Sequence, residues 1–199
     1  MRCTKCGEEV GLLHECSGPS TAVQAMLLEP APLLRFAPFY YLSQAVAIAR
    51  FDERAILRNS RDNNAFLYGV PLWLVANTPL AFGIAGQAGF AFPFSLIFAV
   101  VALPVALGLQ VAVWTICHLA AKFILHGKGR LAAINRVMLL GSIVGLVGII
   151  PLIGPIVSGL WGLAIMMVTF EAIHGIRRIH AFAISLVIGI ALRAIGLIG

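Results

Sequence analysis

From about residue 65 onward the chain is a series of long apolar runs with short breaks between them. Five runs stand out, at roughly 66–86, 93–118, 131–150, 152–172 and 181–198. Each is close to the ~20 residues that carry a helix across ~30 Å of hydrocarbon. The second run is predicted to continue as helix beyond the bilayer through "HLAAKFIL". The third and fourth are separated only by "IIPLIGP", where Pro151, Gly154 and Pro155 break the helix. That gap suits a tight helical hairpin. The pattern predicts an all-α integral membrane protein with a five-transmembrane-helix bundle.

Upstream the pattern changes. "MLLEPAPLLRFAP" is apolar but broken by three prolines, which makes it a poor continuous helix. A helix is predicted from near Pro38 to about Arg61. At 100° per residue, Arg50, Arg54, Arg58 and Arg61 fall within one quadrant. Tyr41, Ala45, Ile48, Phe51, Ala55 and Ile56 cover much of the other side. Two readings fit. An interfacial amphipathic helix would turn its arginines to lipid headgroups and its apolar face to acyl chains. A helix packed on the membrane domain would keep the basic face in solvent. Phe36, Phe39, Tyr40 and Tyr41 suit an aromatic belt. The expected organisation is a leader at 1–18, a linker and amphipathic helix at 19–64, and the membrane domain at 65–199.

Composition agrees with the membrane reading. Hydrophobic residues make up 60% of the 199, and charged residues only 11%. A soluble domain carries about 25% charged residues. The formal charge of +6 bears on topology and anionic lipid before nucleic acid, and no nucleic-acid partner is expected. The connections "GQAGFAFP" and "IIPLIGP" carry no charge. The connection after the second run holds Lys122, Lys128 and Arg130, with Arg136 just beyond; that after the fourth holds Arg177 and Arg178. Basic and bare connections alternate, so the positive-inside rule places the N-terminus in the cytosol and, with five spans, the C-terminus outside. Arg193, near the outer end of the last run, is the exception and is expected to snorkel outward.

The opening "MRCTKCGEEVGLLHEC" carries different chemistry. It has no apolar core before its acids, so it does not read as a signal peptide and is expected to persist in the mature protein. Cys3, Cys6, His14 and Cys16 supply three sulfurs and one imidazole, a set zinc accepts in a closed, structural tetrahedral site. The Gly after Cys6 lets the backbone turn back toward the metal. Thiols stay reduced in the cytosol, which favours one structural zinc ion over a disulfide. The alternatives are a disordered leader with incidental thiols and a redox CxxC, which lacks its usual strand–helix context.

Polar groups within the runs are few. Glu171 and His174 lie three apart on one helix face, a candidate intramembrane polar site. The plainer reading pairs Glu171 with Arg177, Arg178 or Lys122. Asn77 and Gln110 suit bonds between helices, and Cys117 reads as a small apolar packing residue. Gly141, Gly145, Gly148, Ser158, Gly159 and Gly162 give small-residue faces for internal packing, with self-association into a homo-oligomer as the alternative. No nucleotide-binding, hydrolase or metalloprotease motif occurs, and no catalytic residue is expected.

The stretch "HLAAKFILHGKGRLAAINRVMLLGSIVGLVGIIPLIGPIVSGLWGLAIMMVTFEAIHGI" resembles the Yip family of multispan membrane proteins. The resemblance rests, in order, on the Gly-Lys-Gly connection, "INRVMLL", "IPLIGPIV", "LWGLAIMM" and a histidine before the last span. It covers roughly residues 114–185, and "LYGVPLWL" loosely resembles the start of the family's first span. It implies five spans, a cytosolic N-terminus, and a role as membrane organiser or adaptor rather than enzyme. In eukaryotes the family is associated with Rab-type GTPases. An extended acidic N-terminal region is absent here, so GTPase binding is not carried over. The zinc-ribbon-like leader points to a prokaryotic-type member in the cytoplasmic (inner) membrane. The expected function is a non-enzymatic scaffold whose zinc-folded leader meets an unidentified protein partner while the bundle meets the bilayer and anionic headgroups. The contrary expectation is a small-solute or ion transporter, with Glu171, His174, Asn77 and Gln110 lining a route.

Overall fold

The computed structural model describes residues 37–150 and 153–194. The metal ligands expected in the leader lie outside the described residues. Among those described, every regular element is helical: α1 Pro38–Ala49, α2 Glu53–Arg61, α3 Asn64–Gln87, α4 Phe92–Phe123, α5 Leu131–Gly141, a 3-10 segment Ser142–Ile149, α6 Gly154–His174 and α7 Arg178–Ala194. Four stretches are long and apolar enough to cross a membrane: α3, α4, α5 continued by the 3-10 segment, and α6. They match the first four predicted runs to within a few residues. α7, at 17 described residues, would be about 26 Å long at 1.5 Å per residue.

The helix expected from Pro38 to Arg61 is two helices. Arg50 ends the first, and Phe51 takes a left-handed φ of 62°. Asp52 then starts the second: its carboxylate accepts from Arg54 N at 2.9 Å and Ala55 N at 3.3 Å. Asp is a strong N-cap because it satisfies donors left open in the first turn. Glu53 at the start of α2 and Arg58 and Arg61 at its end also suit the helix dipole.

Burial is uneven along the bundle. The fully buried side chains Ile134, Val137, Leu139 and Leu140 of α5, and Ile165 and Phe170 of α6, pack with Trp73, Trp114, Ile48 and Ile56. They lie toward the end where the α4–α5 and α6–α7 connections meet. Elsewhere α4 turns Phe92, Phe94, Ile97, Val100, Val101 and Val105 outward, each more than half exposed. Only 6% of its most apolar window is buried inside the protein. Apolar surface of that extent calls for lipid around it.

Charge obeys the same division. α3 has none, and α4 none before Lys122. The third stretch is uncharged after Arg136, and α6 before Glu171. The uncharged part of α6, Gly154 to Phe170, is about 26 Å long. Close approach holds the helices together: a Cβ on Gly69 would lie 2.7 Å from Leu139 Cβ, and one on Gly145 3.2 Å from Ala76 O. Gly141 and Gly145 thus pack within the bundle.

Candidate functional site

Three arrangements bring polar chemistry together. The first is the α1–α2 hairpin. Tyr41 O–H donates to Asp62 Oδ2, and the second carboxylate oxygen accepts from Asn64 N at 2.9 Å. The Tyr41 ring stacks on Tyr68 at 4.3 Å, and Tyr68 Oη accepts from Ala37 N at 3.0 Å. Burial, followed by the bond to the Asp62 carboxylate, pushes the Tyr41 hydroxyl well above the ordinary tyrosine range. It therefore keeps its proton and remains a donor. Arg136 of α5 donates to Ser60 O at 3.1 Å and to Asn63 Oδ1, clamping the end of α2. At the other end Trp161 Nε1 donates to Ala49 O at 2.8 Å, satisfying a carbonyl that closes α1.

Held in this way, the hairpin divides the residues predicted for it. Tyr41, Ala45, Ile48, Ala55 and Ile56 are buried against the bundle rather than turned to acyl chains. Phe51, expected among them, is 41% exposed because its left-handed backbone swings it out. α1 carries a second apolar face, with Phe39 (84% exposed), Leu42 and Val46 directed outward. Arg50, Arg54, Arg58 and Arg61 are all exposed. Ile48 abuts Gly141, ten residues into α5, so α1 meets the bundle about 15 Å from where α5 starts.

The second arrangement surrounds His174. Its Nε2 lies 3.1 Å from Nδ1 of His118, fifty-six residues away, and Gly129 N–H donates to its Nδ1 at 3.2 Å. A ring nitrogen that accepts carries no proton, so the His174 proton sits on Nε2 and is donated to His118. Both imidazoles are buried. The "HGKG" connection wraps the pair. Lys128 N donates to His174 O at 3.3 Å, and His126 holds a left-handed φ of 54°. Gly127 and Gly129 allow a close approach: a Cβ on the first would lie 2.9 Å from His174 Cγ, and on the second 2.8 Å from Ile173 Cγ2, so a side chain at either would force these neighbours to shift. Gly175, at φ 69°, closes α6 with its N–H on Glu171 O. Glu171 itself pairs with Arg178 across a half-exposed surface, as the plainer reading expected. Glu171 and His174 thus share a helix face but not a partner.

The third is a cavity of about 310 Å³ between α3, α4, the 3-10 segment and α6. Asn77 and Gln110 both line it, with Trp73, Trp114, Ser142 and Ser158. Glu171 and His174 do not. Cys117 is buried and unpaired, at 1% exposure within the apolar core. Among the described residues no group of three or more His, Cys, Asp or Glu comes together as a metal site.

Sequence reasoning missed the His118–His174 contact, the Arg136 clamp and the Trp161 cap, which join residues far apart in the chain. It had a usable signal for the hairpin tip, since Asp52-Glu53 is an N-terminal helix signature. Comparison with protein-family models, with curated proteins and with solved structures found no match.

Proposed function

We propose that this chain is a non-enzymatic multi-pass membrane adaptor of the Yip type. Five helices anchor it, with the basic connections in the cytosol. The α1–α2 hairpin rests at the cytosolic interface, and a zinc-folded leader built on Cys3, Cys6, His14 and Cys16 meets a protein partner. Its work is placement and contact, with no bond made or broken.

The observation that carries this reading is the two-faced hairpin. One apolar face of α1 docks on the bundle, the other looks outward, and α2 beside it presents arginines. Outward apolar groups next to outward arginines suit the boundary between acyl chains and anionic headgroups. α1 meets α5 near Gly141, about 15 Å from the charged start of α5, which this reading places on the aqueous side.

The transport alternative is less favoured by the geometry. It needs Glu171, His174, Asn77 and Gln110 on one route. Glu171 lies in a surface ion pair, and His174 is packed beneath two glycines. The other two face a separate cavity.

The test is lipid preference in nanodiscs holding phosphatidylglycerol and phosphatidylcholine, read as co-purifying lipid. The intact protein is expected to enrich phosphatidylglycerol, and the Arg50/Arg54/Arg58/Arg61→Gln variant to lose that enrichment. Equal enrichment in both proteins would overturn the hairpin's role.

A further inference from the structure

The cavity between α4 and α6 is unused by the adaptor reading, and its lining is specific. α4 packs on α3, α5 and α7, while α6 packs on α1, α2, α5, the 3-10 segment and α7. The two helices thus face each other across a cleft. Gly159 and Gly162 form part of the α6 wall, and a Cβ on either would meet nothing within 4 Å. Trp73, 2% exposed, is buried at the back of the cleft. Gln110 stands on the α4 wall, eight residues before His118, and so about 12 Å from the histidine layer.

Gln110 is the telling residue. It sits in the uncharged run "VALPVALGLQVAV" and is exposed, as are Val105 and Leu109 beside it. Among the described residues its side-chain amide makes no hydrogen bond. An amide facing hydrocarbon is costly unless something bonds it. Asn77 spends an N–H on Trp73 O at 2.8 Å, which leaves its carbonyl oxygen as an acceptor. The cleft therefore offers neutral donors and acceptors on apolar walls, and among the described residues no charged one lines it. A phosphate or carboxylate would find no counter-charge there. A hydroxyl or ester carbonyl on an apolar body would be matched.

We infer that this cleft is a lateral binding site for an uncharged, hydroxyl-bearing glycerolipid of the diacylglycerol type, drawn from the surrounding leaflet. Gln110 bonds the hydroxyl or ester oxygens, Asn77 accepts from the hydroxyl, and one chain lies against Gly159, Gly162 and Trp73. A volume of about 310 Å³ is at the lower end of ligand pockets, which fits one headgroup region and the first part of a chain.

The test uses the full chain in nanodiscs, in a Trp161→Phe background. This leaves Trp73 and Trp114, both 2% exposed and both lining the cleft, as the fluorophores. Brominated diacylglycerol is titrated against brominated phosphatidylcholine at equal bromine content. Saturable quenching by the diacylglycerol, several-fold above the phosphatidylcholine level, is expected. Gly162→Leu, which fills the cleft from a position with open space, should abolish the difference. Gln110→Leu, at an exposed site where the fold does not depend on it, should weaken it at least several-fold. Equal quenching by the two lipids would overturn the assignment. So would a full diacylglycerol preference in Gln110→Leu, whatever the folding of Gly162→Leu.

Discussion

Replacing Tyr41 by Phe isolates one bond at the base of the α1–α2 hairpin. The ring stays, so its stacking on Tyr68 and its place in the core are kept. What is lost is the O–H donated to Asp62, a carboxylate only 3% exposed. A hydrogen bond to a charged group contributes about 1.5–3 kcal/mol, and leaving the acceptor buried without it incurs a desolvation penalty. With a tenfold change per ~1.4 kcal/mol, local opening of the hairpin should become roughly 10- to 150-fold more frequent. The assay is hydrogen exchange of the α1 and α2 amides in nanodiscs, where protection reports local opening. Tyr40→Phe is the control. Tyr40 meets Tyr41 edge-on at 5.1 Å, a contact its ring retains, and exchange should be nearly unchanged. Tyr41 holds its proton above the ordinary tyrosine range, so its contribution is complete at neutral pH and lost only in strong alkali. Equal exchange in Tyr41→Phe and the native chain would refute the anchoring argument. Equal acceleration by both variants would refute its assignment to the Asp62 bond.

Further outcomes follow from the same contacts. Gly129→Ala should overpack the His174 layer and cost about 1–3 kcal/mol, read as a lower melting temperature in detergent, whereas Gly159→Ala, where the added carbon meets open space, should be near neutral. Arg136→Gln should lose a bond to the Ser60 carbonyl and raise exchange in α2 while sparing α4. Metal analysis of the solubilised protein should find one zinc per chain, lost in Cys3→Ser/Cys6→Ser. Zinc kept by that variant would point to ligands elsewhere, and none in the native chain would end the metal-leader idea.

What could be read from sequence was whatever repeats along one helix. The apolar runs 66–86 and 93–118 became Asn64–Gln87 and Phe92–Phe123 because hydropathy and the lack of charge are properties of contiguous residues. The Glu171–Arg178 pair was within reach for the same reason, being seven residues apart. Periodicity also grouped Tyr41, Ala45 and Ile48, but it does not say whether such a stripe meets lipid or protein. Here it meets α5 and α6, while Phe39, Leu42 and Val46 supply the outward face. Helical phase carried past Arg50 concealed the break, because one left-handed residue at Phe51 resets it. The His118–His174 bond, the Arg136 clamp and the joining of Asn77 to Gln110 in one cavity depend on tertiary packing over long separations. No local pattern encodes them. The Gly-Lys-Gly connection is legible in the sequence, but its physical reason, the His174 ring packed against both glycines, is tertiary.

The central claim is that the hairpin lies on the cytosolic side, together with the basic connections. Site-specific labelling tests it most directly. Single cysteines are placed at exposed Arg54, Lys128 and Gln87, in a chain with Cys3, Cys6 and Cys16 changed to Ser and Cys117 to Ala. A membrane-impermeant maleimide is then applied to sealed vesicles of each orientation. The account predicts that positions 54 and 128 label together, from the cytosolic face alone, and that position 87 labels from the opposite face. Labelling of position 54 from the face that exposes position 87 would contradict it.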